Sequence, residues 1–194
     1  MGKGKAKGKN VNVPFCRPFG SAALMQACRL IVEPVAREFA PNVVFFAAGF
    51  DGAAGDPTNK GCYADPDVYH GFVAGVLAAV PKTRAVALLE GGYHIPNISR
   101  GVQGLILALA GCALPMAEGR ALEDTSMGAV TDSQLADIAR AVDAQALYWG
   151  PALAPSSTLI AAERERRDAA AAVPADAPIA VAVAGRKRRR GSST

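Results

Sequence analysis

The run Val43-Val44-Phe45-Phe46-Ala47-Ala48-Gly49 limits what this chain can fold into more than any other stretch. It is short, rich in β-branched and aromatic side chains, and starts just after Pro41. Its apolar residues do not alternate with polar ones, so the spacing predicts a strand buried on both faces, as in a parallel sheet layered with helices. Ala85 to Leu89 has the same character. Between the two runs, Asp65-Pro66 reads as an N-cap followed by proline at the first helical position. Val68, Phe72, Val76 and Val80 then mark one face of a helix. Strand, helix, strand in that order predicts a right-handed βαβ unit and an α/β layered fold.

Other elements follow from local signals. Val11 and Val13 predict a short strand ended by Pro14. Leu24, Cys28, Ile31, Val35 and Phe39 recur at helical spacing from Ala22 to Phe39, and Pro34 should kink or divide that helix. A further helix fits Asn97 to Ala110 and stops at Gly111. Another opens on Thr131 and Gln134 at capping-box spacing and runs through Leu135, Ile138 and Val142 to Leu147. The chain thus divides into a flexible Gly/Lys segment (1–10), a folded part (11–150) and an Ala/Pro-rich extension with a basic tail (151–194). Within the extension, Ser157 to Ala172 can form a charged helix, and 173–194 reads as disordered.

Charge and composition bound the function. Nine of the 21 basic residues lie at the two ends, which leaves 12 against 17 acids and a formal charge of −5 for residues 10–185. An acidic body excludes a basic nucleic-acid groove across the domain, although a tail can still touch phosphates. No apolar run approaches the ~20 residues of a membrane span, and no apolar segment of a secretory signal follows Met1, so a soluble intracellular protein is expected. Cys16, Cys28, Cys62 and Cys112 form no CxxC pair and read as reduced core thiols.

In open α/β sheets, ligands gather where strands end, because the loops diverge there and helix N-termini point inward. Two segments occupy such ends. Gly49-Phe50-Asp51-Gly52-Ala53-Ala54-Gly55-Asp56-Pro57 brings two carboxylates on a glycine-rich loop; Glu90-Gly91-Gly92-Tyr93-His94 brings a phenol and an imidazole beyond two glycines. On spacing alone each is also compatible with a plain turn whose side chains satisfy loop amides.

Taken together, Ala48-Gly-Phe-Asp51-Gly-Ala-Ala-Gly-Asp-Pro57 and Leu89-Glu-Gly-Gly-Tyr93 resemble the C-terminal half of the zinc-dependent histone deacetylase catalytic domain, in its class II form. Gly8 to Pro14, Ile31 to Pro41 and Ala146-Leu-Tyr-Trp149 are similar to further parts of that half. The resemblance implies an arginase–deacetylase type of fold, present only in part, and hydrolysis of N-acetyl-lysine on histones or other proteins. It implies that Asp51 is a Zn²⁺ ligand and that the Tyr93 hydroxyl donates to the substrate carbonyl oxygen. Gly91 and Gly92 would line the acyl-lysine channel, with Asp56 and Glu90 as supporting groups rather than ligands. The family's His-His pair and Asp-x-His have no counterpart here. The only histidines are His70, expected as an ordinary residue of the second helix, and His94, which stands where the family usually has asparagine. With one ligand and no proton-transfer dyad, the chain is expected to be inactive alone. A non-catalytic, deacetylase-like interaction module in chromatin regulation is the alternative. Arg186, Lys187, Arg188, Arg189 and Arg190 resemble a nuclear-import signal, which points to the nucleus, with the cytoplasm also open. An import receptor, nucleic acid or a corepressor complex are the partners implied. Half a domain should also leave strand edges partly bare.

Overall fold

The structure is a computed structural model that describes residues 2–59, 61–115 and 124–172. The basic run from Arg186 to Arg190 and the rest of 173–194 lie outside the described residues. Strand β1 (Phe19–Gly20) leads into α1 (Ser21–Ala27) and, after a π-helical turn over Cys28–Val32, α2 (Glu33–Phe39). Then come β2 (Val43–Gly49), β3 (Cys62–Tyr63), α3 (Val68–Ala79), β4 (Arg84–Gly91), α4 (Ile95–Leu109) and α5 (Asp132–Ala171).

β2 and β4 pair in parallel, from Val43 opposite Arg84 to Gly49 opposite Gly91, with α3 as the crossover between them. This is the expected βαβ unit. β1 pairs in parallel with β3 in a second small sheet. Phe50, Val73, Leu105 and Ala108 form the core under the main sheet, with Phe46, Ala48 and Ala87 packed against it, so α3 and α4 cover one face.

The other face departs from expectation. Phe45 is 67 % exposed, and Val43, Val86 and Leu88 are exposed beside it. In the register Phe45 stands opposite Val86, so these residues share one side of the sheet. Uninterrupted apolar character in the two runs therefore does not mean two buried faces here: no element among the described residues packs on the side that carries Phe45.

Several local expectations also shift. Val11 and Val13 form no strand; they pack against the helical core around Leu135, Ile138 and Val142 instead of finding a sheet edge. Pro34 divides the first helix as expected, and the turn before it loosens to π geometry. α3 begins at Val68 rather than Pro66. The expected capping bond is nonetheless present: the Asp67 amide donates to the Asp65 carboxylate (2.9 Å), and Pro66 and Asp67 form a turn that leads into Val68. Of the four free thiols, Cys28 and Cys62 are buried, but Cys16 and Cys112 are exposed. Burial and the neighbouring Glu33 carboxylate push the Cys28 thiol up to about 12, which keeps it protonated and inert.

The capping box at Thr131 forms as expected: the Gln134 amide donates to the Thr131 hydroxyl, and the Thr131 amide to Gln134. The helix does not end at Leu147. It breaks at Trp149, whose φ of −128° is non-helical, and continues to Ala171. Arg167 and Asp132 nonetheless meet at 2.6 Å, whereas a straight helix would hold them about 50 Å apart. The second half must fold back along the first. Trp149 fills the bend; its indole donates to the Gly8 carbonyl (2.9 Å), and the Lys9 ammonium lies 4.8 Å from its ring centre.

Arg167 pins the returning half to the start of α5, donating to Asp132 and to the Met127 and Val130 carbonyls. Glu163, on the same half, braces it: it accepts from Arg166 and Arg167, and these guanidinium donors hold its carboxyl down at about 2 against an ordinary 4.5. The brace is at full strength above the ordinary value and is lost as pH falls through about 2. Protection factors of amides 160–171 should therefore fall as pH drops from 4 to 2, while those of α3 and α4 hold. An equal fall in all three helices would show that Glu163 braces nothing locally.

Candidate functional site

β2 and β4 end side by side and deliver the two glycine-rich loops to one place. The Phe50 amide donates to the Gly91 carbonyl (3.0 Å), so the backbones remain coupled one residue beyond β2. The register slips between Ala48/Leu89 and Gly49/Gly91, which leaves Glu90 as the extra residue of a β-bulge, with its side chain exposed. Bulges of this kind re-aim the residues that follow. Here they turn Gly91, Gly92 and Tyr93 across the end of β2.

Asp51 is exposed, and its carboxylate lies over the glycines at the strand ends. A β-carbon built on Gly49 would stand 3.0 Å from Asp51 Oδ1, and one on Gly91 3.5 Å from the same oxygen. Gly92 has a φ of +112°, and a β-carbon there would come within 3.0 Å of Phe50. Glycine is required at that position both for backbone conformation and for space. Tyr93 follows with 62 % of its surface exposed. Asp51, Gly91, Gly92 and Tyr93 are thus brought to one end of the sheet.

Below them lies a polar layer. Asp56 is only 5 % exposed and accepts from the Thr58 amide (2.9 Å), the Thr58 hydroxyl (2.7 Å) and the Tyr93 amide (2.7 Å). Burial works to raise its carboxyl, but these donors, joined by the His94 amide, outweigh it and hold the group below its ordinary value. The Tyr69 phenol, packed edge-on against the Phe50 ring at 4.9 Å, faces the same loop. Burial, with the nearby Cys62, Asp51 and Asp56, raises it well above the ordinary tyrosine value, so it stays protonated.

Three contributors escape sequence reasoning. Asn97 is buried at the start of α4 and donates to the Ala54 carbonyl (2.8 Å), which ties that helix to the Asp51 loop. Thr58 and Tyr69 are the others. Asp56-Pro57-Thr58 carries a local hint, since an Asp side chain readily accepts from the amide two residues on. Asn97 and Tyr69 carry none, because their partners are distant in the chain.

Among the described residues neither histidine forms a metal-binding trio with Asp51. His70 lies in the first turn of α3 with Nε2 2.9 Å from the Cys112 carbonyl oxygen, a packing role as expected, though not in mid-helix. His94 is the N-cap of α4; its carbonyl accepts from the Asn97 and Ile98 amides, and its Nδ1 is buried without a partner. Among the described residues no three His, Cys, Asp or Glu side chains cluster closely enough to hold a metal ion. One carboxylate does not make a zinc site, so these residues alone do not fit the metal.

The profile of the histone deacetylase domain matches residues 1–109, more than half of the chain. The chain belongs to the histone deacetylase family. Within that family it is class II-like. It is 31 % identical to the polyamine deacetylase HDAC10 of Danio rerio over 150 residues, which are 77 % of this chain and 21 % of that protein. Human histone deacetylase 7 is 29 % identical over 77 % of this chain and 16 % of its own length. Among solved structures, the histone deacetylase Clr3 superposes with a TM-score of 0.65 at 28 % identity, over 76 % of this chain and 23 % of that one. The HDA15 HD domain gives 0.68 at 28 % identity, over 83 % and 41 %. The deacetylase fold is therefore present here in part, and the chain spans 21 % of the first of these curated relatives and 16 % of the second.

Proposed function

We propose that this chain carries one wall of a zinc-dependent lysine deacetylase site and is inactive alone. The observation that supports this most is the meeting of Asp51 with Gly91, two residues before Tyr93, at the end of one parallel strand pair. In this reading Asp51 supplies one ligand to Zn²⁺, and the remaining ligands come from outside the described residues. Zinc held by Asp51 and ligands from elsewhere would supply Lewis-acid chemistry for the hydrolysis. The Tyr93 hydroxyl donates to the carbonyl oxygen as it gains negative charge, the role of an oxyanion-hole donor. Gly91 and Gly92, which lack side chains, admit the acyl-lysine stem, and Glu90 stands at the rim. Acetylated histone or other protein lysines are the substrates. The Arg186–Arg190 run supports import to the nucleus, where a corepressor complex is a fitting partner.

The lack of a metal-binding trio among the described residues favours a second reading, a non-catalytic module that keeps the fold and has lost the site. Metal analysis separates the two. The purified chain should hold no stoichiometric zinc. The full natural polypeptide or complex that contains it should bind zinc and hydrolyse an acetyl-lysine peptide, and Asp51→Asn should abolish both. Zinc content unchanged by Asp51→Asn would remove this residue as a ligand. A full assembly without zinc or turnover would establish the module.

A further inference from the structure

We infer that Asp56 is a positioning residue for Tyr93, acting through the Tyr93 backbone and touching no reacting atom. The inference rests on the reading of Tyr93 as the carbonyl-oxygen donor and adds what holds that donor in place. Tyr93 is mostly exposed, so packing restrains its ring little. The preceding residue, Gly92 at φ +112°, is the least restrained backbone type in the loop. The direction of the Cα–Cβ bond must then be set by the Tyr93 main chain, and the Tyr93 amide donates to Asp56 Oδ2 at 2.7 Å.

The carboxylate is itself locked. Oδ1 takes both the amide and the hydroxyl of Thr58, which fixes the side chain and leaves Oδ2 aimed at Tyr93. An ionised carboxylate is acceptor-only, and its bonds are charge-assisted and short. Asp56 also lies on the same loop as Asp51. The bond therefore joins the loop of the proposed metal ligand to that of the proposed donor, alongside the Phe50–Gly91 backbone bond and the Asn97–Ala54 contact. A misplacement of about 1 Å in a catalytic group can cost on the order of 10²-fold in rate.

The test is Asp56→Asn in the full natural polypeptide, followed by amide hydrogen exchange at single-residue resolution. Asparagine keeps the shape and replaces one acceptor with a donor. The Tyr93 amide should exchange at least about ten-fold faster, with the Phe50 amide unchanged; where the polypeptide turns over, kcat should fall about 10–100-fold with KM nearly constant. An unchanged Tyr93 amide, equal acceleration at Phe50, or an effect carried by KM alone would overturn the inference. If Asp56→Asn does not fold, Thr58→Val loosens the carboxylate without removing it, and faster Tyr93 exchange is again the expected result; none would overturn it. The exchange readout needs no turnover. An inactive assembly with an accelerated Tyr93 amide thus counts for the positioning role and against the deacetylase reading.

Discussion

On the proposed reading, Tyr93→Phe should lower kcat of the full assembly by about 10²–10³-fold, or about 2.7–4 kcal/mol of barrier, and leave zinc in place. The substitution removes one oxygen from an exposed ring and disturbs little else, because the loop is held by backbone bonds at Phe50 and Tyr93 and not by the phenol. Its effect belongs to the transition state. The carbonyl oxygen is weakly basic in the bound substrate and strongly so once water has added, so a donor waiting there stabilises the second state far more than the first. KM should therefore stay nearly constant. Steady-state kinetics with metal analysis on the same sample checks both halves of this expectation. A change in KM with kcat intact would make the phenol a surface that binds the acyl-lysine stem.

Gly101→Ala destabilises the fold by about 1–3 kcal/mol, opposite in sign to the usual effect of alanine in a helix. A β-carbon on Gly101 would lie 2.4 Å from Cδ1 and 2.5 Å from Cε1 of Phe50, a ring that is 1 % exposed and wedged against Tyr69. The ring has no free direction. It must push the Tyr69 phenol or lift the backbone that carries Asp51, so the strain reaches the site from below. Thermal unfolding gives the magnitude, and a cycle with Phe50→Leu gives the cause: most of the Gly101→Ala penalty should vanish when Phe50→Leu is already in place. A stabilising Gly101→Ala would mean that α4 and Phe50 are not in contact.

Legibility followed the range of the interactions. The β2 and β4 strands, the crossover helix, the Thr131–Gln134 cap and both site loops are specified by neighbours a few residues apart, and each is visible in the sequence. The convergence of the Asp51 and Tyr93 loops at one end of the sheet was accessible because both follow strands of one parallel pair. What could not be read depends on distant partners. Asp56 meets the Tyr93 amide, and Asn97 meets Ala54, across about 40 residues of chain. The fold-back at Trp149 was hidden because Pro151 and Pro155 argue for a loop after the bend, while the helix in fact continues through both. The start of α3 moved by two residues because the opening turn is tight, with the Val68 amide bonding the Asp65 carbonyl and the His70 amide the Asp67 carbonyl, each across three residues.

The open side of the β2–β4 ribbon sets how this polypeptide behaves in company. Among the described residues each of the two strands has a neighbour on one flank only, and Phe45, Val86 and Leu88 lie uncovered between them. Such a ribbon is a template for any extended segment that drifts past. Encounters between copies rise with the square of concentration, whereas folding of a single copy does not. Crowding therefore shifts the outcome toward clumping, and a resident covering partner shifts it back.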